Sequence, residues 1–486
     1  MNPAENPHHE HRWLILAVIG LAQLMVVLDA TIVNIALPSA QHALGFSNDS
    51  RQWIVTAYAL AFGGLLLLGG RLGDVFGRKR VFIVGLIGFA GASAVGGLAQ
   101  GFGVLVAARA TQGMFAALLA PAALSLLTTT FTDPGERAKA FGIFGAIAGS
   151  GAAVGLLVGG VLTEYLSWRW CLYVNLLFAV PAVIAATRLL RHEVSTEKPR
   201  VDIPGALTAS LGLFALVYGF SSAETNGWGA AVTVGSLVAA VVLLAGFVLI
   251  ERRVSHPLLP MRVVLDRARG GSYLAVAVVG AGMFGVFLFL TYYLQKTLGF
   301  SPVKTGLAFM PLMATVMSFA AVGTSYLVPR FGPRPLVTIG MLISAGAMVL
   351  FAGITVDSSY ATHVLPGLLL MGMGLGLVMA PAMSTATAGV EPGDAGVASA
   401  MVNTGQQVGG SVGTALLSSL SASAATAFIG TQHATPQFLS EAAVHGYTTA
   451  FTWSAGIFAL GALACGLLLP YRVAEVDPDA EPIFSH

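Results

Sequence analysis

Gly70-Arg71-Leu72-Gly73-Asp74-Val75-Phe76-Gly77-Arg78-Lys79-Arg80 is the stretch that orders the rest of the chain. It is a short charged turn between two apolar runs, residues 51–69 and 81–99. Each run has about the ~20 residues a helix needs to cross a hydrocarbon layer. Two such runs joined by a turn read as a helical hairpin in lipid. Gly73 and Gly77 permit backbone conformations closed to other residues. Asp74 is placed to meet the N-terminal dipole of a neighbouring helix and to pair with Arg78 or Arg137. The turn reads as a latch at the water boundary, able to break and re-form; the plain alternative is a solvated loop.

Outward from that turn the same solvent is implied everywhere. The chain has 486 residues, 56% hydrophobic and 9% charged. Soluble chains carry roughly 25% charged residues. Only a medium that excludes charge makes the deficit sensible. Fourteen apolar runs follow one another from 13–37 to 447–470; the weakest is 396–423, rich in Ser, Thr and Gln. The expected fold is all-α and integral to the membrane, with short connections. The net charge of +2 gives no nucleic-acid footprint. Cys171 and Cys465 are far apart in apolar runs and read as inert buried thiols, so neither a disulfide nor a metal site is expected.

The loop charges set the orientation. With the N-terminus in the cytoplasm, nineteen of the twenty-four Lys and Arg fall on the inner side. Arg51, Arg169, Lys296 and Lys304 fall on the outer side, and Arg109 lies within a span. That is the positive-inside bias, and it predicts both termini in the cytoplasm. An internal repeat is also visible. Leu118-Leu119-Ala120-Pro121-Ala122 resembles Val378-Met379-Ala380-Pro381-Ala382, and Phe76-Gly77-Arg78 resembles Phe331-Gly332-Pro333. Asp133-Pro134-Gly135-Glu136 likewise resembles Glu391-Pro392-Gly393-Asp394. The offsets are nearly constant, so spans 1–6 match spans 9–14. The expected organisation is a tail at 1–12, a six-helix bundle at 13–190 and a linker at 191–202. Two inserted helices at 203–250, a linker at 251–270, a second six-helix bundle at 271–470 and a tail at 471–486 complete it. Repeated halves with substrate held between them near the midplane are a transporter plan.

The residues now support a family resemblance. The Gly70–Arg80 turn looks like the signature loop of the major facilitator superfamily. Leu28-Asp29-Ala30-Thr31-Ile32-Val33-Asn34 resembles the first-span motif of its fourteen-helix drug:proton antiporters. Arg109-Ala110-Thr111-Gln112-Gly113 resembles the fourth-span motif, and Trp168-Arg169-Trp170-Cys171-Leu172-Tyr173-Val174-Asn175 the start of span 6. In span 5, Gly142, Gly151, Gly155, Gly159 and Gly160 resemble the antiporter motif, with Leu156 where a proline is expected. The glycines still allow close helix packing; the kink a proline would give is lost.

The chemistry rests on scarcity. Asp29 is the one acid placed deep in a span, and Arg109 the one cation inside any span. A charge at the bilayer centre costs roughly 2.5–3.5 kcal/mol on insertion scales, so Asp29 must face a cavity or a partner. Arg109 is the natural partner, and proton coupling through this pair is expected; a permanent structural ion pair is the alternative. Gln112 and Ala116 share a helical face with Arg109 and are expected to line a cavity. Asn403, Gln406 and Gln407 form a neutral polar patch on span 13. Phe287 and Tyr292 on span 9, with Met310 on span 10, read as a pliable apolar cavity wall. With no acid in span 13, monocationic, neutral or weakly acidic substrates are expected.

The reading that results is a proton-coupled exporter of lipophilic small molecules in a bacterial cytoplasmic membrane. The excess of Arg over Lys with abundant Ala and Gly suggests a GC-rich source. A metabolite symporter is the runner-up within transport. A membrane enzyme would need converging His, Asp or Glu at one depth, which the spans lack. A transporter-like sensor would carry a long soluble tail. No Gly-x4-Gly-Lys loop is present to bind ATP. No cofactor is expected, and a monomer is.

Overall fold

Four of the long helices start where the sequence supplies a side-chain cap. Asp133 accepts from the Glu136 N–H with Pro134 behind it, Asp202 from Gly205, Asp266 from Arg269 and Thr435 from Phe438. Each cap satisfies one of the N–H groups that a helix start leaves open. The computed structural model describes residues 11–47, 50–131, 133–190, 202–254, 257–387, 395–430 and 435–471, and among them there is no strand. The terminal tails and the linker expected at 191–202 fall almost entirely outside the described residues.

The first six helices are α1 (Arg12–Leu44), α2 (Gln52–Phe76), α3 (Arg78–Gly97), α4 (Phe102–Thr130), α5 (Pro134–Tyr165) and α6 (Trp170–Leu189). Then come α7 (Ile203–Asn226), α8 (Ala231–Glu251) and the short α9 (Met261–Val264). The last group is α10 (Arg267–Tyr292), α11 (Pro302–Ala308), α12 (Met310–Val322), α13 (Val328–Phe331), α14 (Pro333–Ala352), α15 (Leu365–Thr387), α16 (Ala395–Ile429) and α17 (Pro436–Leu468). Among the described residues, twelve helical stretches are long and apolar enough to cross a membrane. α2 and α5 contain the shorter apolar stretches Gln52–Leu66 and Gly151–Tyr165. Large apolar side chains such as Val241, Val242, Leu460 and Leu463 stand more than 60% exposed, as lipid-facing helices require. The weak stretch at 396–423 is a continuous helix, α16.

The repeat is visible in the packing. α1 packs on α5 and α6, as α10 packs on α16 and α17. α4 packs on α2 and α3, as α15 packs on α12 and α14. Pro121 and Pro381 lie inside α4 and α15. Gly77 and Gly332, at φ 92° and 75°, make the two equivalent turns; only glycine takes that backbone without strain. α7 packs on α2 of the first half and α16 of the second, and α8 packs chiefly on α7.

The halves differ in regularity. The apolar run at 304–328, the tenth of the fourteen, is interrupted at Phe309, between α11 and α12. Pro311 follows the break; it has no N–H to give and crowds the carbonyl four residues back. π-helical turns occupy Tyr293–Thr297, Gly323–Leu327 and Tyr360–Val364, all in the second half. The linker expected at 251–270 contains α9 and the start of α10.

Candidate functional site

Asp29 sits near the middle of α1 and is completely buried. Arg109, on α4, reaches it from the side: Nη1 lies 2.5 Å from Asp29 Oδ2, with the two side chains 1% and 0% exposed. The second carboxylate oxygen is also satisfied. Asp29 Oδ1 accepts from Gln112 Nε2 at 3.0 Å and from Asn175 Nδ2 at 2.6 Å. Arg109 donates further to Gln112 Oε1 at 3.0 Å and to the Ile54 carbonyl at 3.2 Å. Its guanidinium lies 4.4 Å from the Tyr58 ring centre. Asn175 also donates to Ser93 Oγ at 2.9 Å, and Ser93 donates to the Leu172 carbonyl at 2.7 Å. α4 and α6 thus donate to one carboxylate on α1, while α2 and α3 hold those donors in place. In low dielectric such bonds hold the carboxyl group firmly in place.

The expected pairing of Asp29 with Arg109 is therefore present as geometry. Gln112 joins it because i and i+3 share a helix face. That face points into the first half, onto α1, and not toward a cavity between halves. Ala116, one turn further on, is fully buried among Ala117, Leu119 and Phe89. Asn175, Ser93 and Tyr58 were not among the expected site residues. Asn175 had a signal, a lone amide within an apolar run; Ser93 and Tyr58 had none beyond their polarity.

The glycines of α5 place this site. A side chain at Gly151 would meet Val27, one at Gly155 would meet Thr31 Oγ1 at 2.1 Å, and one at Gly159 would meet Ile32 at 2.8 Å. Those contacts bring α5 against the α1 turns flanking Asp29. Gly160 faces the other half, 2.8 Å from the Pro302 carbonyl by the same measure. Leu156 is fully buried, and its carbonyl lies against Gly306 of α11. The residue in place of proline thus packs at the join of the halves.

That join is closed at the end of the molecule away from the signature turn. Tyr292 Oη donates to Gln41 Oε1 at 2.6 Å, and Gln295 Nε2 to the Ile35 carbonyl at 3.1 Å. The Val303 N–H donates to Glu164 Oε2 at 2.9 Å. The Arg51 guanidinium stacks 4.0 Å from the Tyr292 ring centre. Tyr292 is therefore a pin between halves here. Phe287, 3% exposed, packs on Phe309 at 5.3 Å inside the second half. Met310 packs beside them, half-buried. Asn403, Gln406 and Gln407 are half-buried on α16, with Gln407 Cβ against Gly63 of α2. These expected cavity residues do not share one wall in this conformation. A 3.6-residue period reveals which residues share a face, but not which neighbour covers it.

At the signature end, the side chains of Asp74 and Arg137 lie outside the described residues. Around them Arg12 pairs with Glu136 at 2.8 Å, joining α1 to α5. Lys79 donates to the Thr187 and Leu190 carbonyls at the end of α6. Arg71 Nη2 donates to the Pro257 carbonyl at 2.7 Å.

Known proteins fit this architecture. The chain is 51% identical to a puromycin resistance protein of Streptomyces alboniger, over 96% of this chain and 93% of that one. It is 40% identical to a cephamycin export protein of Amycolatopsis lactamdurans, over 82% of each. Among solved structures, a bacterial homolog of the lysosomal transporter Spinster, inward-facing, superposes with a TM-score of 0.65. The two share 17% identity over 94% of this chain and 96% of that one, which speaks for the fold alone. A family model described as Major Facilitator Superfamily matches residues 19–414. With that match, and with relatives this similar over most of their length, the chain belongs to the Major Facilitator Superfamily of membrane transporters.

Proposed function

We propose that this transporter exports a lipophilic small molecule, an antibiotic or other natural product, by alternating access driven by protons at Asp29. The observation that carries the reading is the buried Asp29–Arg109 pair with its two amide donors. A proton gradient can act only through a group that titrates and meets different surroundings in two states. Arginine does not titrate in proteins. Among the described residues, Asp29 is the one carboxylate midway along a span. In the closed cluster, Asp29 is an anion held by three donors. Opening that exposes Asp29 allows a proton to neutralise it and releases Arg109 to other acceptors. Return of the anion re-forms the cluster.

The resistance and export proteins among the relatives support the direction of transport and the substrate class. The absence of Asp, Glu, Lys, Arg and His from Ser272 to Gln295 and from α15 fits neutral, monocationic or weakly acidic ligands better than divalent ones. The same reading takes fourteen spans, with α2 and α5 crossing as well, and the α7–α8 hairpin inserted between two six-helix bundles. It puts both termini in the cytoplasm of a bacterium. The signature turn is then cytoplasmic, and the Tyr292–Gln41 closure seals the outer side. Asp74, Arg78 and Arg137, with Gly73 and Gly77, form the cytoplasmic latch. Gln112 and Ala116 of the first half, and Phe287, Tyr292, Met310, Asn403, Gln406 and Gln407 of the second, border the substrate path as the halves rock.

Asp29→Asn tests it. In inside-out vesicles with an imposed pH gradient, export of a lipophilic antibiotic should stop, while binding remains measurable and nearly independent of pH. Wild-type export in this variant would place the coupling proton elsewhere or remove it from the mechanism.

A further inference from the structure

The α7–α8 hairpin holds a pair of buried acids that the transport reading does not use. Asp202 caps α7, and its Oδ1 accepts from the Gly205 N–H at 2.9 Å. Glu251 ends α8, and its Oε2 accepts from the Leu259 N–H at 2.9 Å. The residues are 6% and 4% exposed. The other oxygen of each, Asp202 Oδ2 and Glu251 Oε1, is buried and has no hydrogen-bond partner. Those two oxygens converge over Gly205. A Cβ added there would lie 2.4 Å from Asp202 Oδ2 and 2.7 Å from Glu251 Oε1.

Two ionised carboxylates only accept hydrogen bonds, so facing oxygens cannot satisfy each other. Two buried anions at such range repel, and one of them takes up a proton. The positive charge acting on Glu251 from the neighbouring helix is that of Arg71 on α2. Its Nη2 donates to the Pro257 carbonyl, and neither orphan oxygen has a donor, so it can balance one negative charge without bridging them. Arg252 and Arg253, next in the chain, are exposed. A metal ion does not answer the geometry. No group of three or more His, Cys, Asp or Glu that could hold one occurs among the described residues, and hard cations take six or more oxygens.

We infer that Asp202 and Glu251 hold one proton between their facing oxygens, making a second protonated site separate from Asp29. The acid hydroxyl of one donates to the carboxylate of the other, and the pair carries a single negative charge. The bond joins the start of α7 to the end of α8. Through Leu259 it fixes the connector after α8, where Leu259 packs with Ala209 and Phe247, and Val397 and Met401 of α16 lie against them. Through Pro257 the same connector takes the hydrogen bond of Arg71, a residue of the signature turn. Loss of the proton would set two anions against each other beneath that junction.

The test uses the full chain in lipid nanodiscs and needs no transport. Infrared spectra near neutral pH should show the C=O stretch of a neutral carboxylic acid. That band should be lost in Glu251→Gln and in Asp202→Asn, and kept in Asp29→Asn. Raising the pH should remove the band in the wild type and lower its melting temperature. Glu251→Gln, whose amide can donate to Asp202 Oδ2, should keep its melting temperature at the alkaline end. A band unchanged in both amide variants overturns the inference. So does a melting temperature lowered by chelator and restored by Mg2+ or Ca2+ in the wild type alone, since the pair would then hold a cation. If Glu251→Gln does not fold, Asp202→Asn carries the same comparison.

Discussion

α1 and α4 meet through an ion pair, whereas α10 and α15, their counterparts in the second half, meet through hydrocarbon. At corresponding depth the second half has Phe287, Leu288, Leu368 and Met371, each at most 3% exposed. The helix order and the packing partners repeat; the chemistry does not. On the proposed mechanism, a fold built twice needs its proton-binding group only once, in one half, while the other half supplies a surface that moves against it. Among the described residues the second half also holds the three π-helical turns and the break before Pro311, so the buried ion pair and the irregularity lie in different halves.

The sharpest way to break this contrast is to remove one charge. Arg109→Met should be the most destabilising single change, by about 3–5 kcal/mol, because it strands a buried carboxylate. In the second half, Met371→Leu conserves volume and should cost under ~1.5 kcal/mol. Combining Asp29→Asn with Arg109→Met should restore part of the loss, since no lone charge remains. Equilibrium unfolding in mixed micelles measures all three. A double variant less stable than Arg109→Met would show that the pair is not one coupled unit.

Asn175→Ala comes next. It removes the 2.6 Å donor to Asp29 and the bond to Ser93. A hydrogen bond to a charged group is worth roughly 1.5–3 kcal/mol. A loss below ~0.5 kcal/mol in the same unfolding assay would mean water replaces the amide freely.

Asp29 and Arg109 could be read from the sequence because charge is rare in lipid, and a rare charge must find its opposite. Helical spacing put Gln112 on the face of Arg109, but that face was expected to line a cavity and its bond to Asp29 was not legible. Asn175, Ser93 and Tyr58 could not be read so directly, because a neutral polar residue in a span is common and needs no particular partner. Where Phe287 and Tyr292 pack in this conformation could not be read either, on a related ground. Aromatic character shows that a side chain will be buried, while the partner that buries it is fixed by long-range packing. Tyr292 meets Gln41, which is 251 positions away. The repeat was legible from prolines and glycines, whose backbone demands are local. Asp202 and Glu251 give no signal in the sequence, because each ends a helix, where a charge looks solvated until the neighbouring helix end is known.

The halves can also be compared through their glycines. A methyl at Gly155 of α5 would lie 2.1 Å from the Thr31 hydroxyl and 2.9 Å from the Leu28 carbonyl. One at Gly409 of α16 would lie 2.1 Å from the Ala277 carbonyl. The Thr31 hydroxyl can rotate, and backbone cannot. Both Gly→Ala changes overpack a helix crossing, at a typical cost of 1–3 kcal/mol, and Gly409→Ala should be the costlier. Gly155→Ala should in addition shift the α1 turn that carries Asp29 and slow export, a readout that Gly409→Ala should move less. Equal transport defects at equal stability would mean that the motif serves packing alone.

The smallest effect on stability is expected at Gln407, where the two halves touch. Its Oε1 is buried without a hydrogen-bond partner, and its Cβ lies against Gly63 of α2. An unsatisfied acceptor already bears its desolvation cost, so replacing it with an apolar group of similar size removes a penalty instead of a bond. Gln407→Leu should therefore change stability by no more than ~0.5 kcal/mol in either direction. Its consequence should appear in selection. If Gln407 borders the proposed substrate path, its free acceptor is a neutral group on α16 that can receive a hydrogen bond from a bound ligand. Leucine there should weaken binding of ligands with a hydroxyl or amine donor and leave purely apolar ligands unaffected. A panel of matched antibiotic pairs, with and without the donor, measured by fluorescence quenching, separates the cases. Equal affinity changes across each pair would mean that Gln407 only packs the seam, and that the second half contributes shape to the substrate path without polarity.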